Sequence, residues 1–186
     1  FLAEFEAKVG GGLADNPDLR EYAAFPRDTA FQIRMLNGYL MRKLEGTIWN
    51  LRYQRCMADY VSGMAKRGRE AEQVIRHYEE TFAAHVAPFI GRFGHFFENY
   101  AVNQVYGTFL PGLRSGQRIG TLYRTLAVDF AMIKLHLTGI AAHRGGLTPE
   151  TAIELVQCYT KNYEFVPEYR VDFLLELAAK GRDAFD

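Results

Sequence analysis

The stretch RIGTLYRTLAVDFAMIKLHLTGIAAH, Arg118 to His143, decides the fold class. Its apolar residues recur at three and four positions and cover most of the circumference instead of one stripe. A helix greasy nearly all round needs neighbours on nearly every side, so this segment is expected to be the long central helix of a bundle. Gly145-Gly146 ends it.

Working outward, the same period governs the chain from Asp28 onward. Asp28 or Thr29 caps a helix through Phe31, Ile33, Leu36, Leu40 and Leu44 that ends near Gly46. Thr47 begins a second, which carries Ile48, Leu51, Met57, Tyr60, Val61 and Met64 into the basic turn Lys66-Arg67 and stops at Gly68. A third is expected from Glu70 to Val86. Pro88 opens a fourth, through Phe89, Phe93, Phe97, Tyr100 and Val105, that stops before Pro111-Gly112 and leaves residues 111–117 as a loop. Beyond the central helix, Thr148-Pro149-Glu150 restarts the chain, a break follows near Pro167, and a last helix spans about Glu168 to Lys180. No stretch alternates as a strand does, so the expectation is an all-α fold of six to eight helices. Residues 1–27, punctuated by Gly10-Gly11-Gly12, Asn16-Pro17 and Pro26, read as an irregular segment ahead of one helical domain, 28–186.

Composition narrows the function classes. Apolar residues at 48% exclude a disordered tail, and 186 residues bury a core without a disulfide or metal staple. Lys plus Arg and Asp plus Glu are equal at 22 each, so the basic footprint of a nucleic-acid binder is missing and no nucleic-acid partner is expected. The charge is nevertheless patterned: residues 87–146 hold six basic and two acidic side chains, and residues 147–186 hold four and eight. Ordinary solvated helix faces account for this pattern more readily than a docking surface does. Cys56 and Cys158 form no CxxC pair, and reduced, buried thiols in a cytoplasmic protein are expected. No uncharged run reaches the roughly 18 residues of a membrane span, so no membrane partner is expected either.

The residues that can carry chemistry are few. Gly10-Gly11-Gly12 could imitate a nucleotide or S-adenosylmethionine loop, but Phe5 to Val9 is a poor strand and Asn16-Pro17 follows too soon for a helix. Asp129, His136 and His143 lie at i, i+7 and i+14, which stacks them on nearly one face of the central helix. Such a stripe can relay protons or contribute to a metal site, and it can equally be a set of satisfied core polar groups. Its members are about 10 Å apart, too far to share one ion without help from other helices. Lys134 lies about 160° around the helix from His136. A second polar cluster, His95, Glu98, Asn99 and Tyr100, sits in an otherwise greasy helix. Glu-x-x-His pairs, as a di-iron carboxylate site would need, are absent, and no metal site is expected.

The segment Phe96-Phe97-Glu98-Asn99-Tyr100-Ala101-Val102-Asn103-Gln104-Val105-Tyr106, followed by Phe109-Leu110-Pro111, resembles the flagellin lysine-N-methylase family. Ile133-Lys134-Leu135-His136-Leu137 and Gly146-Leu147-Thr148 are similar to two further segments of that family, and Ile33-Arg34 through Arg42 to Arg52 and Arg55 to a fourth. The resemblance implies a lysine N-methyltransferase acting on flagellin with S-adenosyl-L-methionine as methyl donor. Such transfer needs a deprotonated lysine amine aligned with the methyl sulfonium. Glu98, Tyr100, Asp129 and His136 then become candidate catalytic residues, and Asn99 and Lys134 candidate substrate-binding residues. Family members carry an N-terminal CxxCxxCC cluster associated with an iron-sulfur centre, which this chain lacks. Together with a start at Phe1 and no initiator Met, this leads us to expect the C-terminal helical part of a longer enzyme, binding no cluster itself. The alternative is a non-catalytic all-α ligand-binding or dimerisation module. An apolar pocket without convergent polar groups would favour the module, and convergence of Glu98, Asp129 and His136 in one cleft would favour the enzyme.

Overall fold

Asp28 does cap the first helix, its Oδ1 accepting from the Phe31 N–H at 2.9 Å. The structure, a computed structural model, describes residues 28–44, 50–64, 70–116, 119–163 and 167–179; the expected irregular segment 1–27 lies outside these. Among the described residues there are seven helical rods and no strand, so the chain is all-α. They are α1 (Thr29–Leu44), α2 (Leu51–Met64), α3 from Ala71 to Phe93, α4 from His95 to Arg114, α5 (Ile119–Arg144), α6 (Pro149–Tyr163) and α7 (Pro167–Ala179).

α5 is the long apolar centre that its sequence demanded. Met132, Ile133, Leu135, Leu137, Ile140 and Ala141 are all buried, because α2, α3 and α6 pack around it and α1 and α7 cover another side. By length and hydropathy Gly120–Arg144 would also pass for a membrane span; here 56% of its apolar window is buried inside the fold. The C-terminus is set by Gly145, whose φ of 74° lies in the left-handed region and whose N–H donates to the Ala141 carbonyl at 2.8 Å. Thr148 then caps α6, its Oγ1 accepting from the Thr151 N–H at 3.3 Å.

Two sequence expectations need correction, and one helix cap was not anticipated. Asn50 caps α2, its Oδ1 accepting from the N–H groups of Arg52 and Tyr53 at 3.0 and 3.2 Å, and the expected start at Thr47 lies outside the described residues. The third helix does not stop at Val86 for Pro88 to start another. Instead Ala71–Thr81 runs through a π turn, Phe82–Val86, directly into Ala87–Phe93. Likewise the helix from His95 does not stop before Pro111: His95–Gln104 passes through a second π turn, Val105–Phe109, into Leu110–Arg114, so the expected loop at 111–117 is helical up to Arg114. The physical reason is shared. Each proline lies two residues beyond a π turn, and the wider i→i+5 closure (Ala87 N–H to Phe82 O, Leu110 N–H to Val105 O) moves the carbonyl that the ring would otherwise strike. The proline is absorbed and the rod continues.

Candidate functional site

The polar groups of α5 meet partners that come from α2 and α6. On α2, Tyr53, Cys56, Tyr60 and Gly63 are buried; Tyr60 and Gly63 follow Tyr53 and Cys56 at seven residues. On α5, Asp129, Met132, His136 and Gly139 repeat at the same interval, so two seven-residue seams face each other. At Gly63 and Gly139 the helices touch backbone to backbone: a Cβ added to Gly63 would overlap the Gly139 carbonyl oxygen and lie 3.0 Å from the His143 nitrogen. That close approach lets the tyrosines of α2 reach the polar groups of α5.

His136 sits in an aromatic cage, with the rings of Tyr53, Tyr60 and Tyr159 centred 5.7, 5.5 and 5.9 Å from its own. Its Nδ1 is 2.6 Å from the Met132 carbonyl, which can only accept, so Nδ1 carries the proton. Nε2 is then the acceptor for the Tyr53 hydroxyl at 2.9 Å. Complete burial pushes the His136 pKa down to about 4, against the weaker raising effect of the Met132 carbonyl. The imidazole is therefore neutral at pH 7. One seven-residue step away, buried Asp129 accepts from the Tyr159 hydroxyl at 2.9 Å. The third member of the stripe, His143, lies at the exposed end of α5, with Nε2 3.6 Å from Asp59 Oδ1. Beside it Arg144 ties α2 to α6, donating from Nε to Asp59 Oδ2 at 2.8 Å and from Nη1 to Thr151 Oγ1 at 3.2 Å.

A recess of 1220 Å³ lies elsewhere, between α4 and α6. Phe96, Tyr100, Ala152 and Val156 supply its apolar surface. Tyr100 is fixed by an edge-on contact with Phe130 of α5, ring centroids 5.4 Å apart. Amides and hydroxyls supply the rest: Asn99, Asn103, Gln104 and Thr108 from α4, Gln157 and Thr160 from α6. Lys161 brings the single charged side chain among the described lining residues. A second recess of 420 Å³ lies between α1, α5 and α7, with Lys134 and Arg124 at an otherwise largely apolar wall.

The sequence candidates are thus distributed over three places. Asn99 and Tyr100 share the large cleft, and Glu98, their neighbour, is exposed and does not line it. Asp129 and His136 are held in the core, and Lys134 borders the smaller recess. Glu98, Asp129 and His136 do not converge. Sequence reasoning missed Tyr53 and Tyr159, the partners that position His136 and Asp129; the matching seven-residue spacing of Tyr53 and Tyr60 was the available signal. It also missed Asn103, Gln157 and Lys161, which come to line one recess only in the folded chain.

Residues 2–186 match the family model of the FliB lysine N-methylase C-terminal domain. The chain belongs to this family. No curated protein and no solved structure matches it significantly. Within this FliB lysine N-methylase C-terminal domain, the segment that first suggested the family forms one wall of the large cleft, and the segment around His136 forms the centre of the core. Neither of these two recesses suits the methyl donor that the family implies, and the two cysteines do not suit its cluster. S-adenosylmethionine carries a sulfonium cation and a ribose diol, whereas the large cleft presents an ammonium and no carboxylate. In the smaller recess the one carboxylate, Asp28, is already spent on capping α1. An iron-sulfur cluster is commonly held by four thiolates, and the chain has two cysteines, both buried, with sulfurs 3.8 Å apart.

Proposed function

We propose that this domain serves a lysine N-methyltransferase that moves methyl groups from S-adenosyl-L-methionine to lysine side chains of flagellin in the cytoplasm. Its own task is to receive the protein substrate, while the methyl donor is held by another part of the enzyme. The observation that carries this reading is the family match over residues 2–186 combined with a cleft whose lining suits a polypeptide better than a sulfonium. Asn99 and Tyr100 are then substrate-facing. Asp129 and His136, buried and bonded to tyrosines, hold the α2–α5–α6 core in register behind the cleft instead of reacting with the lysine. Glu98 and Lys134, on other surfaces, are left outside the cleft.

Incubating purified flagellin with the intact enzyme and the methyl donor tests the proposal. Mass spectrometry of the tryptic peptides is expected to show increments of one methylene per methyl on lysine. Unmodified lysines with cofactor present would refute it. Introducing Asn99→Ala in the same enzyme is expected to raise KM for flagellin and leave kcat nearly unchanged, as loss of binding shared by ground and transition states requires.

A further inference from the structure

We infer that the cleft between α4 and α6 binds an extended polypeptide segment, whose backbone pairs with the side-chain amides of Asn99, Asn103 and Gln157 and which places a carboxylate opposite Lys161. The assignment rests on the proposed function only for the identity of that polypeptide; the binding chemistry is argued from the cleft.

Both walls are built on four-residue steps. On α4 the lining residues Asn99, Asn103, Gly107 and Pro111 follow one another at i+4, and on α6 Ile153, Gln157 and Lys161 do the same. Four residues of helix rise about 6 Å, and two residues of extended chain advance about 6.6 Å, so rungs on a helix stay nearly in step with every second peptide group of a strand laid along it. Asn and Gln are suited to this pairing because each side-chain amide offers a donor and an acceptor in one plane, as a peptide group does. The amides of Asn99, Asn103 and Gln157 have no hydrogen-bond partner among the described residues, whereas Gln104 already accepts from Thr108 at 3.2 Å.

Length and charge specify the occupant further. From Asn99 to Pro111 the α4 wall runs roughly 18 Å, the span of about five extended residues. The volume of 1220 Å³ likewise exceeds the roughly 300–1,000 Å³ of a usual small-molecule site. At Gly107 a Cβ would meet nothing within 4 Å, so the wall is open there, within the π turn Val105–Phe109. Among the described lining residues Lys161 is the only charged one, so an acidic side chain is favoured at that end and a basic one disfavoured.

The test uses the full chain without methyl donor and reads fluorescence anisotropy of three labelled peptides at low ionic strength. One is an extended Ala/Thr peptide carrying a single Asp, the second replaces that Asp by Lys, and the third is the Asp peptide N-methylated at alternate backbone amides. The Asp peptide is expected to bind up to about fivefold tighter than the Lys peptide, the range of an exposed ion pair. Backbone N-methylation, which removes two or three hydrogen bonds, is expected to weaken binding by about tenfold or more. Asn103→Leu and Gln157→Leu, both at exposed positions, are expected to weaken it several-fold with unchanged unfolding midpoints. Lys161→Glu should invert the preference between the Asp and Lys peptides. Equal binding of the N-methylated peptide, an uninverted preference in Lys161→Glu, or no binding of any peptide would overturn the inference. Since no methyl group moves in this assay, its failure leaves the methylase reading standing, and a methylation failure with intact peptide binding overturns only that reading.

Discussion

Protonation of His136 is the perturbation whose size can be worked most directly from the structure. The imidazole is enclosed by three tyrosine rings, donates from Nδ1 to a carbonyl and accepts at Nε2, so an added proton at Nε2 would replace an accepted hydrogen bond with a buried charge. Burial lowers the folded-state pKa from 6.5 to about 4. As the pH falls through 6.5 the unfolded chain takes up this proton and the native one does not. Stability therefore declines with falling pH between about 6.5 and 4 and levels off below. At pH 4.5 the group costs about 2.5 kcal/mol relative to pH 7, which for a chain of this size lowers the unfolding midpoint by about 5–10 °C. The assay is urea unfolding followed by circular dichroism at both pH values for the parent and for His136→Gln. The variant starts from a lower stability, because Tyr53 loses its partner, but its decline on acidification is expected to be about 2.5 kcal/mol smaller. Equal declines in both proteins, or an imidazole NMR titration of His136 centred near pH 6.5, would refute the reasoning.

Gly63→Ala places a Cβ against the Gly139 carbonyl, an obstacle that cannot rotate away, so overpacking of about 3 kcal/mol outweighs the roughly 1 kcal/mol gained in helix propensity. Gly91→Ala on α3, where nothing lies within 4 Å, is expected to gain up to about 1 kcal/mol; thermal unfolding of the two variants shows whether their shifts have opposite signs. Tyr159→Phe strips Asp129 Oδ1 of a 2.9 Å donor in the core and is expected to cost about 1–3 kcal/mol in urea unfolding. Cys56 and Cys158, 102 positions apart with sulfurs 3.8 Å from each other, are expected to form a disulfide under hydrogen peroxide, each pair losing two hydrogens as the peroxide becomes water. Closing that loop should add up to about 4–5 kcal/mol of stability, checked by intact mass and by the unfolding midpoint with and without reductant.

The helices themselves were legible because period and caps are local properties. Asp28, Gly145 and Thr148 do in the structure what their positions in the sequence suggested, and the all-round greasiness of α5 correctly put it at the centre. Pro88 and Pro111 misled because the cost of a proline depends on the hydrogen-bond register around it, and a π turn changes that register without a distinctive residue of its own. The stripe of Asp129, His136 and His143 was legible as a stripe, but not its environment. Two members vanish into bonds with tyrosines of other helices, and the third emerges beside Asp59. The cleft was the least legible feature: its amides stand some fifty residues apart on α4 and α6, and no local pattern announces that those helices face each other.

The glycine crossing of α2 and α5 also decides which parts of this domain can give way. Two backbones in direct contact leave no side-chain layer to shear, so these helices can neither slide nor tilt without separating. Arg144, reaching from α5 to Asp59 on α2 and Thr151 on α6, extends the same constraint to the near side of the cleft. α4 is held differently: Phe97, Tyr100 and Gln104 dock it inward, while Val102, Tyr106 and Leu110 remain exposed, and the π turn at Val105–Phe109 interrupts its α-helical hydrogen bonding midway. Any difference in the width of the cleft would then have to come from α4, since α6 is tied through Arg144 to the fixed pair.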